Sequence, residues 1–271
     1  MEHSFKGVFV DLDGTFIRKD HSVSDWTVEV VQQLKMAGIL VVLVSARPLS
    51  GMLGIASKAG LLDFPLASLN GAYITQNEEV IFEATMTSAL TGQVQQCLAA
   101  YPSTLIYYQR EQWFSQAHND HTRYEQRITE VPVTIEPFED TLRSWQDRGT
   151  GPHKMLIISG EKETIEIQER LQYSFGEQLN LFTSKTTYLE VMDKRASKLN
   201  AVRMLMGRFG LQQAEIIAIG DNFNDKEMIE FAGLGIAMGN APAAIRSAAD
   251  YVTLTNNEDG VAQALTHLFK L

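Results

Sequence analysis

Among 271 residues there is one cysteine, Cys97. An internal disulfide is therefore excluded, and without a cluster of His and Cys so is a zinc site of the usual spacing. Cys97, in Gln93-Val94-Gln95-Gln96-Cys97-Leu98, reads as a small helix residue. No apolar run approaches the ~18 residues of a membrane span. Clustered Lys and Arg are also missing. The formal net charge is -10, with the acidic residues spread along the chain. Nucleic acid and anionic membrane reward clustered cations, so neither is an expected partner. A small anionic substrate stays open, because a few local cations and a metal override a mild global repulsion. The opening Met1-Glu2-His3-Ser4-Phe5-Lys6 lacks a charged-then-apolar leader, and the expected location is the cytoplasm. No repeat or low-complexity tract is visible, and nothing in the sequence speaks to oligomeric state.

What the chain does have is alternation. A hydrophobic content of 45% is enough to bury a core. Gly7–Val10 reads as a buried strand running into Asp11-Leu12-Asp13-Gly14-Thr15. Val28, Val31 and Leu34 then fall at helical spacing, with Ser24 as N-cap and Gly38 as the stop. Ile39–Val44 reads as a second strand, Leu49–Gly60 as a helix and Pro65–Leu69 as a third strand. This β-α-β-α-β series predicts a Rossmann-like parallel sheet with right-handed crossovers. The alternation resumes with a helix over Lys198–Phe209, the strand Ile216–Ile219, a helix over Asp225–Phe231 and the strand Leu234–Met238. Helices over Ala241–Ala248 and Gly260–Phe269 flank Tyr251-Val252.

Between these halves the texture changes. Leu105–Arg110 and Gln112–Gln116 read as paired, half-exposed strands, Thr122–Thr129 and Glu161–Gln172 as helices, and Met155–Ile158 as a strand. The expectation is an α/β core, residues 1–82 and 189–271, interrupted by an α+β cap domain, 83–188. Ser68–Thr75 and Tyr188–Ala196 are the expected crossings.

Four short segments lie just past strand ends or at helix starts, where open parallel sheets bind ligands. In Asp11-Leu12-Asp13-Gly14-Thr15, two carboxylates two residues apart on a continuing strand project to one side. They repel unless a cation or a shared proton intervenes. With Mg²⁺ present, Asp11 stays ionised as a nucleophile while Asp13 holds a proton. In Val44-Ser45-Ala46-Arg47, a hydroxyl and main-chain N–H groups at a strand-to-helix turn suit phosphate oxygens, and Arg47 adds a cation for phosphate or substrate. Lys198 opens a helix, where the dipole disfavours a cation unless an anion sits nearby. Gly220-Asp221-Asn222-Phe223-Asn224-Asp225 sets two carboxylates and two amides in a loop, a donor set that Mg²⁺ accepts. Each also has a structural reading: a capped turn, a solvated charge, or Asn224 or Asp225 as an N-cap.

Together and in this order, these segments resemble the four motifs of the haloacid dehalogenase-like hydrolases. Asn70-Gly71-Ala72 and Tyr188-Leu189-Glu190-Val191 are similar to the Cof-type branch, whose C2-type cap is inserted between the second and third motifs. The resemblance implies a Mg²⁺-dependent phosphatase of a small phosphorylated metabolite, such as a sugar phosphate or phosphorylated cofactor. It implies Asp11 as nucleophile and metal ligand. Asp13 would be general acid/base, with its carbonyl oxygen on the metal, and Asp221 would complete the metal site. Leu12, Ser45, Ala46 and Asn224 would hold phosphate, Lys198 would neutralise charge, and Asp225 would orient Lys198 or Asp221. Ala46 and Leu199 stand where the family commonly has Gly.

Other readings of the same residues are a phosphomutase or phosphotransferase sharing the aspartyl-phosphate, and a non-catalytic phospholigand-binding protein. Substrate choice is expected to lie with the inserted module. Tyr107, Tyr108, Trp113, His118, His121, Tyr124 and Lys154 are its candidate contacts, set against the reading that aromatic residues build its core.

Overall fold

The computed structural model describes residues 5–129 and 131–271. By contact the chain divides into two compact units. One runs through Phe82 and resumes over Ser197–Leu271, and the other is Glu83–Ala196.

In the first unit, Val8, Phe9 and Val10 are apolar in succession, a pattern that suits only a strand covered on both faces. They lie in β1 (Gly7–Asp11), buried throughout. Helix α1 (Asp25–Met36) begins at Ser24, whose hydroxyl accepts the Thr27 N–H at 3.0 Å. It stops at Ala37, followed by Gly38 at φ +76°. Next come β2 (Leu40–Val44), α2 (Ser50–Ala59) and β3 (Leu66–Ser68). The chain then turns back into β4 (Tyr73–Gln76), antiparallel to β3, and β5 (Glu79–Glu83). This corrects the expected crossing at Ser68–Thr75, since those residues remain in the first sheet.

The second unit contains α3 (Ser88–Leu98), β6 (Thr104–Gln109), β7 (Gln112–Ser115), α4 (Asp120–Thr129), β8 (Thr134–Ile135) and α5 (Phe138–Asp147). It continues through β9 (Lys154–Ile158), α6 (Glu161–Phe175), β10 (Leu179–Lys185) and β11 (Tyr188–Asp193). The first unit resumes with α7 (Lys198–Phe209), β12 (Ile216–Gly220), α8 (Lys226–Phe231), β13 (Leu234–Ala237), α9 (Ala243–Arg246), β14 (Tyr251–Val252) and α10 (Gly260–Phe269).

The first sheet has the order β14-β13-β12-β1-β2-β3-β4-β5, with β1 central and parallel to both neighbours. Alternate residues feed two cores. Val8, Val10, Val41, Leu43, Ile217 and Ile219 pack toward α1, α2 and α10. Phe9, Val42, Val44 and Ala218 pack toward α7 and α8. The chain leaves β1 toward β2 on one side and reaches β12 on the other, so the topology reverses beside β1. Such a switch point opens a crevice at the strands' carboxyl ends.

The second sheet has the order β10-β11-β9-β6-β7-β8 and is antiparallel except for β7-β8. One face carries Tyr107, Met155, Ile157, Leu189 and Val191 against α3, α5 and α6. The other carries Ile106, Tyr108, Trp113, Leu156 and Ile158. Leu189–Asp193, assigned above to the resumed core, lies with Tyr188 inside this sheet between β9 and β10. The return therefore falls at 196/197 rather than 188/189. A short apolar strand reads the same whichever sheet receives it. Among the described residues, no helix is long and apolar enough to cross a membrane.

His153 is fully buried in the second unit. Its Nδ1 accepts the Arg110 N–H at 3.2 Å, which leaves Nε2 to carry the proton, 3.1 Å from Glu83 Oε1. Burial, aided by the Arg110 charge, pushes the imidazole down to about 4 against the pull of Glu83. The folded protein thus resists protonation that the unfolded chain accepts near its ordinary ~6.5. This contribution to stability is complete above about 6.5 and is lost as pH falls toward about 4. In urea titrations at pH 7 and pH 5, His153→Gln should lose less stability over this interval than the wild-type protein. Equal losses would show that the ring does not resist charging.

Candidate active site

The expected site residues of the first unit stand at the ends of adjacent strands. Asp11 is the last residue of β1, Ser45 follows β2, and Asp221 follows β12. Lys198 opens α7, where the Ser197 hydroxyl caps the helix by accepting the Asn200 N–H. Its side chain is buried with the ammonium between two carboxylates, 2.5 Å from Asp11 Oδ1 and 2.5 Å from Asp225 Oδ1. An anion does face this helix start, as the cation's position there suggested.

Asp225 has no exposed surface and serves three neighbours. Besides Lys198, it accepts the main-chain N–H groups of Asp221 (3.0 Å) and Asn222 (2.9 Å) on Oδ2. It thus shapes the loop that presents Asp221. Asp221 in turn accepts the Thr15 hydroxyl at 3.3 Å and the Asn240 amide at 3.1 Å. Gly14 sits at φ +82°, and a Cβ on it would overlap the Asp221 carboxylate.

One positive charge among three negative ones leaves the cluster short of cation. Burial and the Asp225 charge hold Asp11 well above the ordinary carboxylate range, while Lys198 pulls it down. Burial, followed by Asp225, pushes Asp221 up to about 6. For Lys198, burial works to lower the pKa, but the charges of Asp11 and Asp225 outweigh it and keep the ammonium protonated. Oxygens of Asp11, Asp221 and Asp225 lie within 4.8 Å of one another. Asp11 Oδ2 is buried, and no donor among the described residues reaches it. A buried carboxylate oxygen without a donor is costly unless a cation completes it. The donor set is all oxygen, as a hard divalent cation requires. Asp225 is committed to Lys198 and two N–H groups, so Asp11 and Asp221 are the side chains that would hold such an ion.

Asp13 stands just beyond β1, because the strand ends at Asp11 and the chain turns at Gly14. Its carboxylate is half-exposed and meets Arg47, with Nε at 2.8 Å and Nη2 at 2.6 Å. Ser45 is buried and its hydroxyl accepts the Arg47 N–H at 3.1 Å. Leu12 is buried beside Asp11, and Ala46 begins the turn after β2. Asn224 donates its amide to Asn70 Oδ1 at 3.1 Å, and Asn70 is buried at φ +53°. Thr15, Asn70, Asn240 and the turn residue His21 complete the surroundings without having been singled out as site residues. Thr15 and Asn70 lay inside quoted motifs, whereas Asn240 and His21 had no local signal.

In the second unit, Tyr107, Tyr108 and Trp113 are core residues. Tyr107 stacks on Phe138 with ring centroids 5.2 Å apart, and Tyr108 on Trp113 at 6.1 Å. His118, His121 and Tyr124 are exposed. Lys154 lies 3.6 Å from Glu190 and over the Tyr108 ring.

The family model for haloacid dehalogenase-like hydrolases matches residues 8–265. A Haemophilus influenzae protein named "Putative phosphatase" is 37% identical, covering 98% of each chain. The HMP-PP phosphatase of Yersinia pestis is 26% identical over 95% of this chain and 93% of its own. The crystal structure of a haloacid dehalogenase-like hydrolase from Bacteroides thetaiotaomicron superposes with a TM-score of 0.84. It is 28% identical and covers 98% of this chain and 100% of that one.

The charge deficit makes a stability prediction. In the absence of divalent cations, ionised Asp221 opposes folding. A raised carboxyl pKa gives a contribution that is full below the unfolded value of 3.8 and lost as pH rises through about 6. In EDTA, Asp221→Asn should therefore melt higher than the wild type at pH 7, with the gain shrinking toward pH 5. Added Mg²⁺ should raise the melting temperature of the wild type and leave the variant nearly unmoved. A variant that melts lower at pH 7 in EDTA would contradict the charge deficit.

Proposed function

We propose, for a chain that belongs to the haloacid dehalogenase-like hydrolases and is a phosphatase of small phosphorylated compounds, that the phosphoryl group passes through Asp11. The observation that supports this reading most is the pairing of Lys198 with Asp11 inside a buried cluster. It directs one Asp11 oxygen to the ammonium and leaves the other with no donor among the described residues. A carboxylate so held is oriented, desolvated and poised as a nucleophile.

In this reading an Asp11 oxygen attacks phosphorus, and the bond between phosphorus and the departing oxygen breaks. The Asp13 carboxyl gives its proton to that oxygen. Water then adds to phosphorus and yields a proton to Asp13, and cleavage of the bond to Asp11 frees phosphate and restores the carboxylate. Ser45, Asn224 and the main-chain N–H groups of Leu12 and Ala46 hold phosphate oxygens, as hydroxyls and amides at helix starts do. Lys198 offsets the charge that gathers on Asp11 and phosphate. Mg²⁺, held by Asp11, Asp221 and the Asp13 carbonyl oxygen, supplies when bound the positive charge that lets an anionic substrate approach anionic side chains. The work is positioning and charge neutralisation, which is how phosphoryl transfer is generally catalysed.

The test is phosphate release from a panel of sugar phosphates and phosphorylated cofactors, with Mg²⁺ and with EDTA. HMP-PP, named for the Yersinia pestis relative, belongs in the panel. Release should require Mg²⁺ and fall by at least about 10³-fold in Asp11→Asn, the scale of losing a covalent nucleophile. Near-wild-type turnover by Asp11→Asn, free of contaminating phosphatase, would show that another group attacks.

A further inference from the structure

Arg47 was expected to reach phosphate or substrate, but the structure turns it to Asp13. A guanidinium has five N–H donors. Two go to the Asp13 carboxylate, from Nε at 2.8 Å and Nη2 at 2.6 Å. Nη2 also donates to His21 Nδ1 at 3.1 Å, and Nη1 to the Gly51 carbonyl at 3.2 Å. One N–H remains, whereas a two-pronged grip on phosphate needs two side by side. Arg47 could take phosphate in that way only by releasing Asp13. The site already has a cation on Asp11, Lys198.

The other partners of Arg47 are fixed in place. Its main-chain N–H donates to Ser45 Oγ and its carbonyl accepts the Leu69 N–H at 2.8 Å. His21 adopts φ +63°, a left-handed conformation that is unfavourable for a non-glycine residue. A built turn holds it there. The Arg18 N–H donates to the Ser22 carbonyl at 2.9 Å, and the His21 N–H to the Arg18 carbonyl at 3.0 Å. That turn is tied to the segment before α10 by the fork of Arg18 on Asp259 and by Asn256, whose amide reaches the Ile17 carbonyl at 2.8 Å. Because Arg47 can only donate, His21 Nδ1 must be the unprotonated nitrogen.

We propose that Arg47 is the positioning residue of the proton carrier Asp13, with His21 as the third member of the set. The assignment rests on the reading of Asp13 as acid and base. A half-exposed aspartate would otherwise sample several rotamers, and the fork fixes the plane of its carboxylate. A proton on Asp13 displaces one of the two Arg47 bonds. The bonds to His21 and Gly51 keep the guanidinium in place while Asp13 turns, ready to receive the carboxylate again.

The experiment is a double-mutant cycle read as kcat/KM on an alkyl phosphate, joined to calorimetric binding of inorganic phosphate to the Mg²⁺-loaded protein. Arg47→Met should lower kcat/KM about 10²-fold with Asp13 present, the scale of a misplaced general acid. The loss should be under about threefold in an Asp13→Asn background, because the two residues act as one unit. Phosphate affinity should change less than about twofold, since a positioning residue does not touch the anion. Arg47→Lys keeps the charge and most of the stem but not the fork. It should fail to rescue, and it serves with the same readouts if the Met variant does not fold. On 4-nitrophenyl phosphate, whose leaving group needs little protonation, kcat/KM should fall far less than on the alkyl ester. An Arg47 loss that persists in Asp13→Asn, together with weakened phosphate binding, would make Arg47 a phosphate ligand and overturn the assignment. Should Asp13→Asn alone keep wild-type turnover, the reading of Asp13 would fail first and the role of Arg47 with it.

Discussion

The ammonium of Lys198 between Asp11 and Asp225 is the contact on which the site depends. These charges are buried, and charge taken from water is costly unless paired and hydrogen-bonded. Their pairing draws together α7, the end of β1 and the loop after β12, segments far apart in sequence. Asp225 extends the arrangement by fixing two N–H groups of the loop that presents Asp221. Removing any member leaves another charge unsatisfied, so the geometry needed for chemistry is also what makes the buried charges tolerable. The remaining shortage of positive charge suits an anionic substrate that arrives with a divalent cation.

Two separate electrostatic arrangements therefore stand side by side. Asp11 is buried with Lys198, whereas Asp13 is half-exposed with Arg47. Two carboxylates two residues apart each face a cation of their own, which offsets the repulsion between them. One environment suits a group that must stay oriented and desolvated. The other suits a group that exchanges protons with water and a leaving group.

Much of this could be read in the sequence because buried parallel strands are short apolar runs and their ends carry the polar residues. β1, β2 and β12 were visible for that reason, and so were Asp11, Ser45 and Asp221. Lys198 stood out by a conflict with the helix dipole, which the structure resolves through Asp11 and Asp225. What escaped was set by distant contacts. Asn240 reaches Asp221 and the Gly14 carbonyl from a loop with no motif of its own. His21 matters because a turn fastened to Asp259 and Asn256 brings it to Arg47. The fate of Tyr188–Asp193 was undecidable locally, since Leu189 and Val191 would fit the interior of either sheet. The hairpin β4-β5 has no glycine in its turn, only Asn77 and Glu78 at positive φ, so its usual sequence signal is missing.

If Asp11 attacks phosphorus, the phosphoryl group can be caught on the enzyme. Mixing the Mg²⁺-loaded protein with its best substrate, quenching in acid within one turnover and digesting at low pH would preserve an acyl phosphate for mass spectrometry. Asp11 as the nucleophile predicts one phosphoryl group on the peptide containing it, absent in Asp11→Asn and present only where the Lys198 pairing is intact. A phosphoryl group on another residue would contradict it. So would quenched wild-type enzyme that has released its leaving group in a burst yet carries no adduct.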